Sequence, residues 1–324
     1  MEATCRICGN TTNNTWYDVK EMMLGTGDSF RYFQCGACNC LQLHTAPDDI
    51  SRYYPDDYYS FKASPEDGFK GSIKKYLQGL RHYSVITGRG LPGRLLKKLL
   101  PNTHIELENF KYARLKKKDK ILDVGSGNGL FTYLLKNAGF SNIKGIDPFL
   151  KQDIKYANGL HIQRISLFDL EDTGWDAVMF NHSFEHLDDP KRYLDRVNQL
   201  LTAEGICIIR IPTVSSEAWE IYKENWVQLD APRHYFLYSV KSMELLAKMC
   251  GFGVKDTYYE STAFQFIGSE QYRKGISLYG SELSYYKGNR NMFTADEVTG
   301  FQLRAAQLNK EKKGDSIFVV LQKL

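Results

Sequence analysis

The chain has 324 residues, of which 43% are hydrophobic and 25% charged, with a formal net charge of +4. That is room for two domains, or for one large domain with additions, at an ordinary globular composition. A run of about 18 apolar residues is missing, which excludes a membrane-spanning helix, and the opening MEATCRICGN has no basic-then-apolar leader.

The first element is a small ribbon over residues 1–46, with aromatic strands such as SFRYFQC. It carries two Cys-x-x-Cys knuckles, Cys5 with Cys8 and Cys35 with Cys38, 26 residues apart. Four thiolates close a tetrahedron around zinc and leave no position open for catalysis, so the pattern implies a structural metal site. A redox role fits poorly, because a thioredoxin-type motif is a single pair in a βαβ setting. Cys40 is a spare beside the site, able to pack or to compete as ligand. Cys207 and Cys250 read as small buried hydrophobes. Seven cysteines without an export signal point to a reducing, cytoplasmic setting.

Residues 47–115 read as a Tyr-rich linker (YYPDDYYSF) followed by helices over about 73–100 and 103–115. Charge is uneven here. Residues 61–120 hold 15 basic and 5 acidic side chains, with peaks at Lys97-Lys98 and Lys116-Lys117-Lys118, whereas residues 1–60 hold 4 basic and 8 acidic. Solvated helix faces explain the basic excess, and attraction of an anionic substrate is the functional reading.

From residue 116 to 324 short apolar strands alternate with amphipathic helices. KILDVG, IKGID, HIQRISL, WDAVMF, GICIIRIP, VKDTYYE and SIFVVLQK are the strands. Asp189 with Pro190, and Ser239, are natural starts for two of the helices. The alternation predicts an α/β fold with a doubly wound, seven-stranded, mostly parallel sheet. Two insertions, 213–238 and 261–315, follow strand carboxyl ends, the side on which such sheets bind ligands.

The stretch ILDVGSGNGLF turns a buried strand into a helix through Gly125, Ser126, Gly127 and Gly129. Glycines let the backbone turn sharply and approach a ligand. A nicotinamide-binding turn would want glycine at position 130, which is Leu. Asp123 precedes the loop and can order it and meet an ammonium group. Asp147 ends the next strand, where a carboxylate can accept both ribose hydroxyls. Phe168 and Asp169 are placed to flank and accept from an adenine, and FNHSFEHLDDP opens a polar loop at Asn181.

In this order the pieces resemble the class I S-adenosylmethionine-dependent methyltransferases, over about residues 119–260 and 316–324. The resemblance implies a Rossmann-like fold. It also implies that Gly125, Ser126, Gly127, Gly129 and Asn181 lie beside the methionine part of the cofactor, Asp147 at the ribose, and Phe168 and Asp169 at the adenine. The four-cysteine unit and Tyr-rich linker resemble, further, the deoxysugar C-methyltransferases. Those enzymes carry a Tyr-x-Glu-His motif with His as base; here APRHYFLYS keeps His234 but has Arg233 and Ala231 at the partner positions. His234 is therefore the expected base, with Glu185 and His186 as weaker candidates and aromatic residues of STAFQFIGSEQY as possible walls of the acceptor pocket. The expected acceptor is a small molecule, a sugar or nucleotide-linked sugar. The acidic ribbon argues against nucleic acid. An RNA methyltransferase gripping RNA with its zinc unit, and a non-catalytic cofactor-binding protein, stay open. The acceptor atom and the oligomeric state have no signature in the sequence.

Overall fold

Ile121–Val124 (β4) is buried along its length, as a strand covered on both faces must be. The strand sits near the middle of the larger of two sheets. The structure is a computed structural model and describes residues 3–55, 65, 72–91, 93, 95–96 and 107–324. Most of the Tyr-rich linker, the Lys97-Lys98 peak and the start of the predicted helix 103–115 lie outside the described residues.

The chain enters the ribbon through Thr15–Lys20 (β1), Ser29–Gln34 (β2) and Leu41–Leu43 (β3). After β4 come Ile143–Ile146 (β5), Ile154–Lys155 (β6), His161–Gln163 (β7), Trp175–Asn181 (β8) and Leu201–Pro212 (β9). Phe236–Leu237 (β10), Phe252–Tyr259 (β11) and Ser316–Lys323 (β12) complete the strands.

The larger sheet has eight strands in the order β11-β12-β9-β8-β4-β5-β7-β6. β9, β8, β4, β5 and β7 run parallel. β12 is antiparallel to both β9 and β11. Seven of these are the predicted strands. The eighth, β6, is a two-residue partner of β7, too short to leave a periodic signal. HIQRISL is strand only over its first three residues, and the predicted helix 103–115 is helical over Phe110–Ala113.

Both faces of the sheet are dry. Val178, Phe180, Cys207 and Ile209 pack on one side with Leu194, Val197, Met243 and Leu246 from helices Pro190–Leu200 and Val240–Met249. Ala177, Met179, Ile206 and Ile208 face the other side, against Tyr133 and Leu134 of helix Leu130–Asn137 and against Phe110. This alternation along consecutive residues is why the strand sequences are continuously apolar. The helix starts match the sequence signals. The Asp189 carboxylate accepts from the Arg192 amide with Pro190 in the first turn, and Ser239 accepts from Ser242.

The ribbon is fused to this layer. β3 pairs antiparallel with β10, so the insertion 213–238 gives the ribbon sheet its fourth strand, in the order β1-β2-β3-β10. Ser239 Oγ donates to the Cys38 carbonyl, and Arg6 Nη2 donates to the Tyr235 carbonyl at 3.4 Å. A fully buried ion pair, Arg233 Nη2 to Glu21 Oε1 at 2.7 Å, closes the same seam. Among the described residues no helix is long and apolar enough to cross a membrane.

Candidate active site and metal centre

Gly125, Gly127 and Gly129 all take positive φ, at 71°, 54° and 80°. The loop folds back on β5. The amides of Gly125 and Ser126 donate to the Ile146 carbonyl, and the Gly127 amide donates to Asp147 Oδ2 at 2.9 Å. A Cβ on Gly125 would sit 2.6 Å from Ser183 Cβ, so the loop tolerates no side chain there. The other Asp147 oxygen accepts from the Phe149 amide at 2.9 Å. Burial raises the Asp147 carboxyl, and these two amides oppose the rise. Each oxygen keeps acceptor capacity for a ribose hydroxyl.

Asp123 is buried at the end of β4. Asn181 Nδ2 donates to its Oδ1 at 3.2 Å. Burial pushes the Asp123 carboxyl up to about 7 against that hydrogen bond. Asn181 Oδ1 is buried without a partner. A carboxylate and an unpaired carbonyl oxygen beside a side-chain-free loop fit the ammonium of an amino acid moiety. Phe168 and Asp169 follow β7 at the rim. Tyr193 meets the Phe168 ring edge-on at 4.8 Å, the Arg192 guanidinium lies 4.0 Å from its centroid, and Asp169 is exposed.

A cavity of about 310 Å³ opens at the carboxyl end of the sheet, lined among others by Phe131, His182, Arg210, Glu260, Gln265 and Asp315. Arg210 Nε donates to Glu260 Oε1 at 2.7 Å, and Asn109 holds the other oxygen. Arg210 Nη1 and Gln265 Oε1 are buried without partners. Burial pushes Asp315 up to about 6, with the Trp226 indole N–H donating to it. None of Arg210, Glu260 and Asp315 was singled out from the sequence. One signal was available: Arg210 interrupts the apolar strand GICIIRIP, and a cation in a buried strand needs a reason. Phe264 and Gln265 from STAFQFIGSEQY line the cavity, whereas Phe266 packs in the core.

His234 is 6% exposed and does not line that cavity. Its Nδ1 donates to the Gln228 carbonyl at 2.8 Å, which leaves Nε2 with a lone pair. Nε2 lies 3.9 Å from Glu185 Oε1 and 3.8 Å from Asp230 Oδ2. Burial drives the His234 imidazole down to about 4, with His186 adding to the fall and the two carboxylates opposing it. His186 packs against His234 with ring centroids 4.7 Å apart. Burial alone would raise the Glu185 carboxyl; His182, His186 and His234 outweigh it and hold it below its usual value. The departures at Arg233 and Ala231 have a structural role instead. Arg233 bridges Asp230 and Glu21, and Ala231 is core.

The ribbon cysteines converge. Cys5 and Cys38 Sγ are 3.6 Å apart, as are Cys8 and Cys35, and all four sulfurs lie within 4.8 Å of one another. Zinc–thiolate bonds of about 2.3 Å give tetrahedron edges close to these separations. Gln42 Nε2 donates to Cys5 Sγ at 2.9 Å, and amides of Ala37 and Cys38 point at Cys35 Sγ. The Cys5–Cys38 hydrogen bond lowers the Cys5 thiol and raises the Cys38 thiol, one proton being shared between the two sulfurs without a metal. These donors suit thiolates, so the residues present fit the metal. Cys40 is fully buried, aims its thiol at the Leu237 carbonyl and stays outside the cluster.

A family model described as a methyltransferase domain matches residues 93–256. The tRNA U34 carboxymethyltransferase of Dichelobacter nodosus is 24% identical over 185 residues, 50% of this chain and 58% of that protein. The enzyme of the same name from Ectopseudomonas mendocina is 24% identical over 251 residues, 72% of this chain and 73% of its own. The chain thus spans little more than half of the first of these relatives. Among solved structures, an S-adenosylmethionine-dependent methyltransferase from Mesorhizobium loti is similar at 15% identity and a TM-score of 0.43, covering 66% of this chain and 97% of that one.

Proposed function

The chain belongs to the methyltransferase-domain family, and from that premise we propose that it transfers the methyl group of S-adenosylmethionine to a hydroxyl of a small, sugar-like acceptor. The observation that carries the donor half is the closed loop from Gly125 to Gly129, hydrogen-bonded through Gly127 to Asp147, with Asp123 and the unpaired Asn181 oxygen at its side. Bound there, the donor supplies an activated sulfonium methyl. Asp147 accepts the ribose hydroxyls, Asp123 and Asn181 accept from the ammonium, and Phe168 and Asp169 take the adenine edge. The chain's remaining task is to hold the acceptor in line and exclude water.

The acceptor enters the cavity bounded by Phe131, His182 and Arg210. Its mixed lining, a free Arg210 Nη1, a free Gln265 oxygen and two aromatic faces, favours a polyhydroxylated ring over an apolar one. His234 stands behind the cavity wall, its Nδ1 fixed on Gln228, and its Nε2 receives the acceptor's proton by way of His182 and Glu185, of which only His182 lines the cavity. The four-cysteine centre holds structural zinc and keeps the ribbon in place.

A second reading, transfer to RNA, rests on the similarity to tRNA U34 carboxymethyltransferases, which runs against the expectation of a small acceptor and of no nucleic-acid partner. The test is production of S-adenosylhomocysteine with a panel of nucleotide sugars and, separately, with bulk tRNA across a salt series. Turnover on a nucleotide sugar with little salt dependence supports the first reading. Turnover on tRNA with steep salt dependence replaces it with the second.

A further inference from the structure

Among the described residues, Glu185 is the one carboxylate buried with neither oxygen in a hydrogen bond. Its side chain is 1% exposed. Its near neighbours are imidazoles: His182 Nδ1 at 3.5 Å and His234 Nε2 at 3.9 Å, both off hydrogen-bonding geometry. A buried carboxylate left this way is strongly unfavourable unless a positive charge faces it.

The surrounding charges do not supply one. Asp230 lies 3.8 Å from the same His234 nitrogen, and Asp230 is already paired with Arg233 at 2.6 Å. That guanidinium also holds Glu21 at 2.7 Å. Asp230 and Glu21 therefore share one guanidinium, and Glu185 has none. With the imidazoles neutral, the cluster lacks the equivalent of one divalent cation.

The two imidazoles at Glu185 are oriented as ligands are. His234 donates Nδ1–H to the Gln228 carbonyl and His186 donates Nδ1–H to the Arg233 carbonyl at 2.9 Å, where the Tyr54 hydroxyl also lies at 3.1 Å. Each keeps a bare Nε2. Fixing one ring nitrogen on a carbonyl is how proteins hold metal-binding histidines. One ligating atom from each of Glu185, His186 and His234 lies within 4.8 Å of the other two.

We propose that Glu185, His186 and His234 bind a divalent first-row transition ion, separate from the cysteine centre. Two imidazoles and a carboxylate suit zinc or manganese and leave coordination positions open. His182 connects the site to the acceptor cavity, since it lines that cavity and reaches Glu185. A hydroxyl oxygen of the acceptor is the ligand the open positions would take. Ion binding goes beyond methyl transfer and does not depend on it; only the acceptor hydroxyl as ligand rests on the function proposed above. The His234 lone pair that takes a proton in the metal-free site is the ligand in the loaded one.

The test uses the full chain with its cysteine centre loaded with zinc. Mn2+ is titrated in and followed by electron paramagnetic resonance, with Zn2+ titrated in parallel by calorimetry. The expected result is one further ion per chain, bound at least about tenfold more weakly in Glu185→Gln and in His186→Asn, with the far-ultraviolet dichroism of both variants unchanged. If Glu185→Gln fails to fold, His186→Asn carries the comparison. Absence of a further Mn2+ or Zn2+ in the wild type overturns the proposal and leaves a protonated imidazole as the counter-charge. Wild-type affinity retained in both variants also overturns it, by placing the ion elsewhere.

Discussion

The Tyr32 hydroxyl donates to the His234 carbonyl at 2.8 Å, joining the ribbon to the proposed catalytic histidine across 202 residues of sequence. Next to it the Leu43 amide donates to the Tyr235 carbonyl, and β3 pairs with β10 immediately after. Gln42, which pairs with Phe236 in that ladder, also donates to Cys5 Sγ. The four-cysteine cluster is thus two contacts from the segment that carries His234. Tyr32→Phe is expected to cost about 1 kcal/mol of stability. It should speed amide exchange over residues 233–239 while leaving the glycine loop protected, as read by hydrogen-exchange mass spectrometry.

The Glu21–Arg233 pair is the second tie, with both side chains at 0% exposure. Removing one member leaves a buried charge poorly paired. Glu21→Gln is expected to lose about 3–5 kcal/mol in urea unfolding. A loss near zero would mean that Asp230 alone satisfies Arg233.

Asp123 couples stability to pH. Its carboxyl is raised in the fold to about 7 by burial, above the ordinary value near 3.9. The folded state therefore holds the proton that the unfolded state releases. Below the unfolded value the group costs nothing; between about pH 4 and 7 stability falls as pH rises, and above 7 the loss is complete. Asp123→Asn is expected to stabilise the ligand-free protein by roughly 2–4 kcal/mol at pH 8 and to leave it unchanged near pH 3. The same change should weaken binding of S-adenosylhomocysteine. Thermal unfolding across pH and calorimetry read the two effects separately.

Gly125 tests the cradle. At φ 71° an added Cβ is strained and meets Ser183 at 2.6 Å. Gly125→Ala is expected to lose roughly 1–3 kcal/mol of stability and most of the affinity for S-adenosylhomocysteine, measured by calorimetry.

Strong local signals made much of this legible in the sequence. ILDVG, WDAVMF and GICIIRIP are buried on both faces, and their mainly apolar sequences, each broken by a single charged residue, announce that. The glycines and the four ribbon cysteines are fixed by backbone and ligand geometry that few other residues meet. The pairing of β3 with β10 was not legible, because two residues, Phe236 and Leu237, carry no period and their partner lies far away in the chain. In the sequence Arg233 is only a departure from the Tyr-x-Glu-His pattern; its contact with Glu21 discloses that it braces the ribbon. The cavity residues Arg210, Glu260 and Asp315 come from three strand ends, and their convergence is a property of strand order.

Binding of the methyl donor at the glycine loop is the central claim, and calorimetric titration of the untagged chain with S-adenosylmethionine tests it most directly, beside Asp147→Asn. The account expects one equivalent bound per chain by the wild type and affinity lower by roughly 10- to 100-fold in the variant, as two hydroxyl contacts to a carboxylate are lost. No binding by the folded wild type, or equal binding by both proteins, would contradict it.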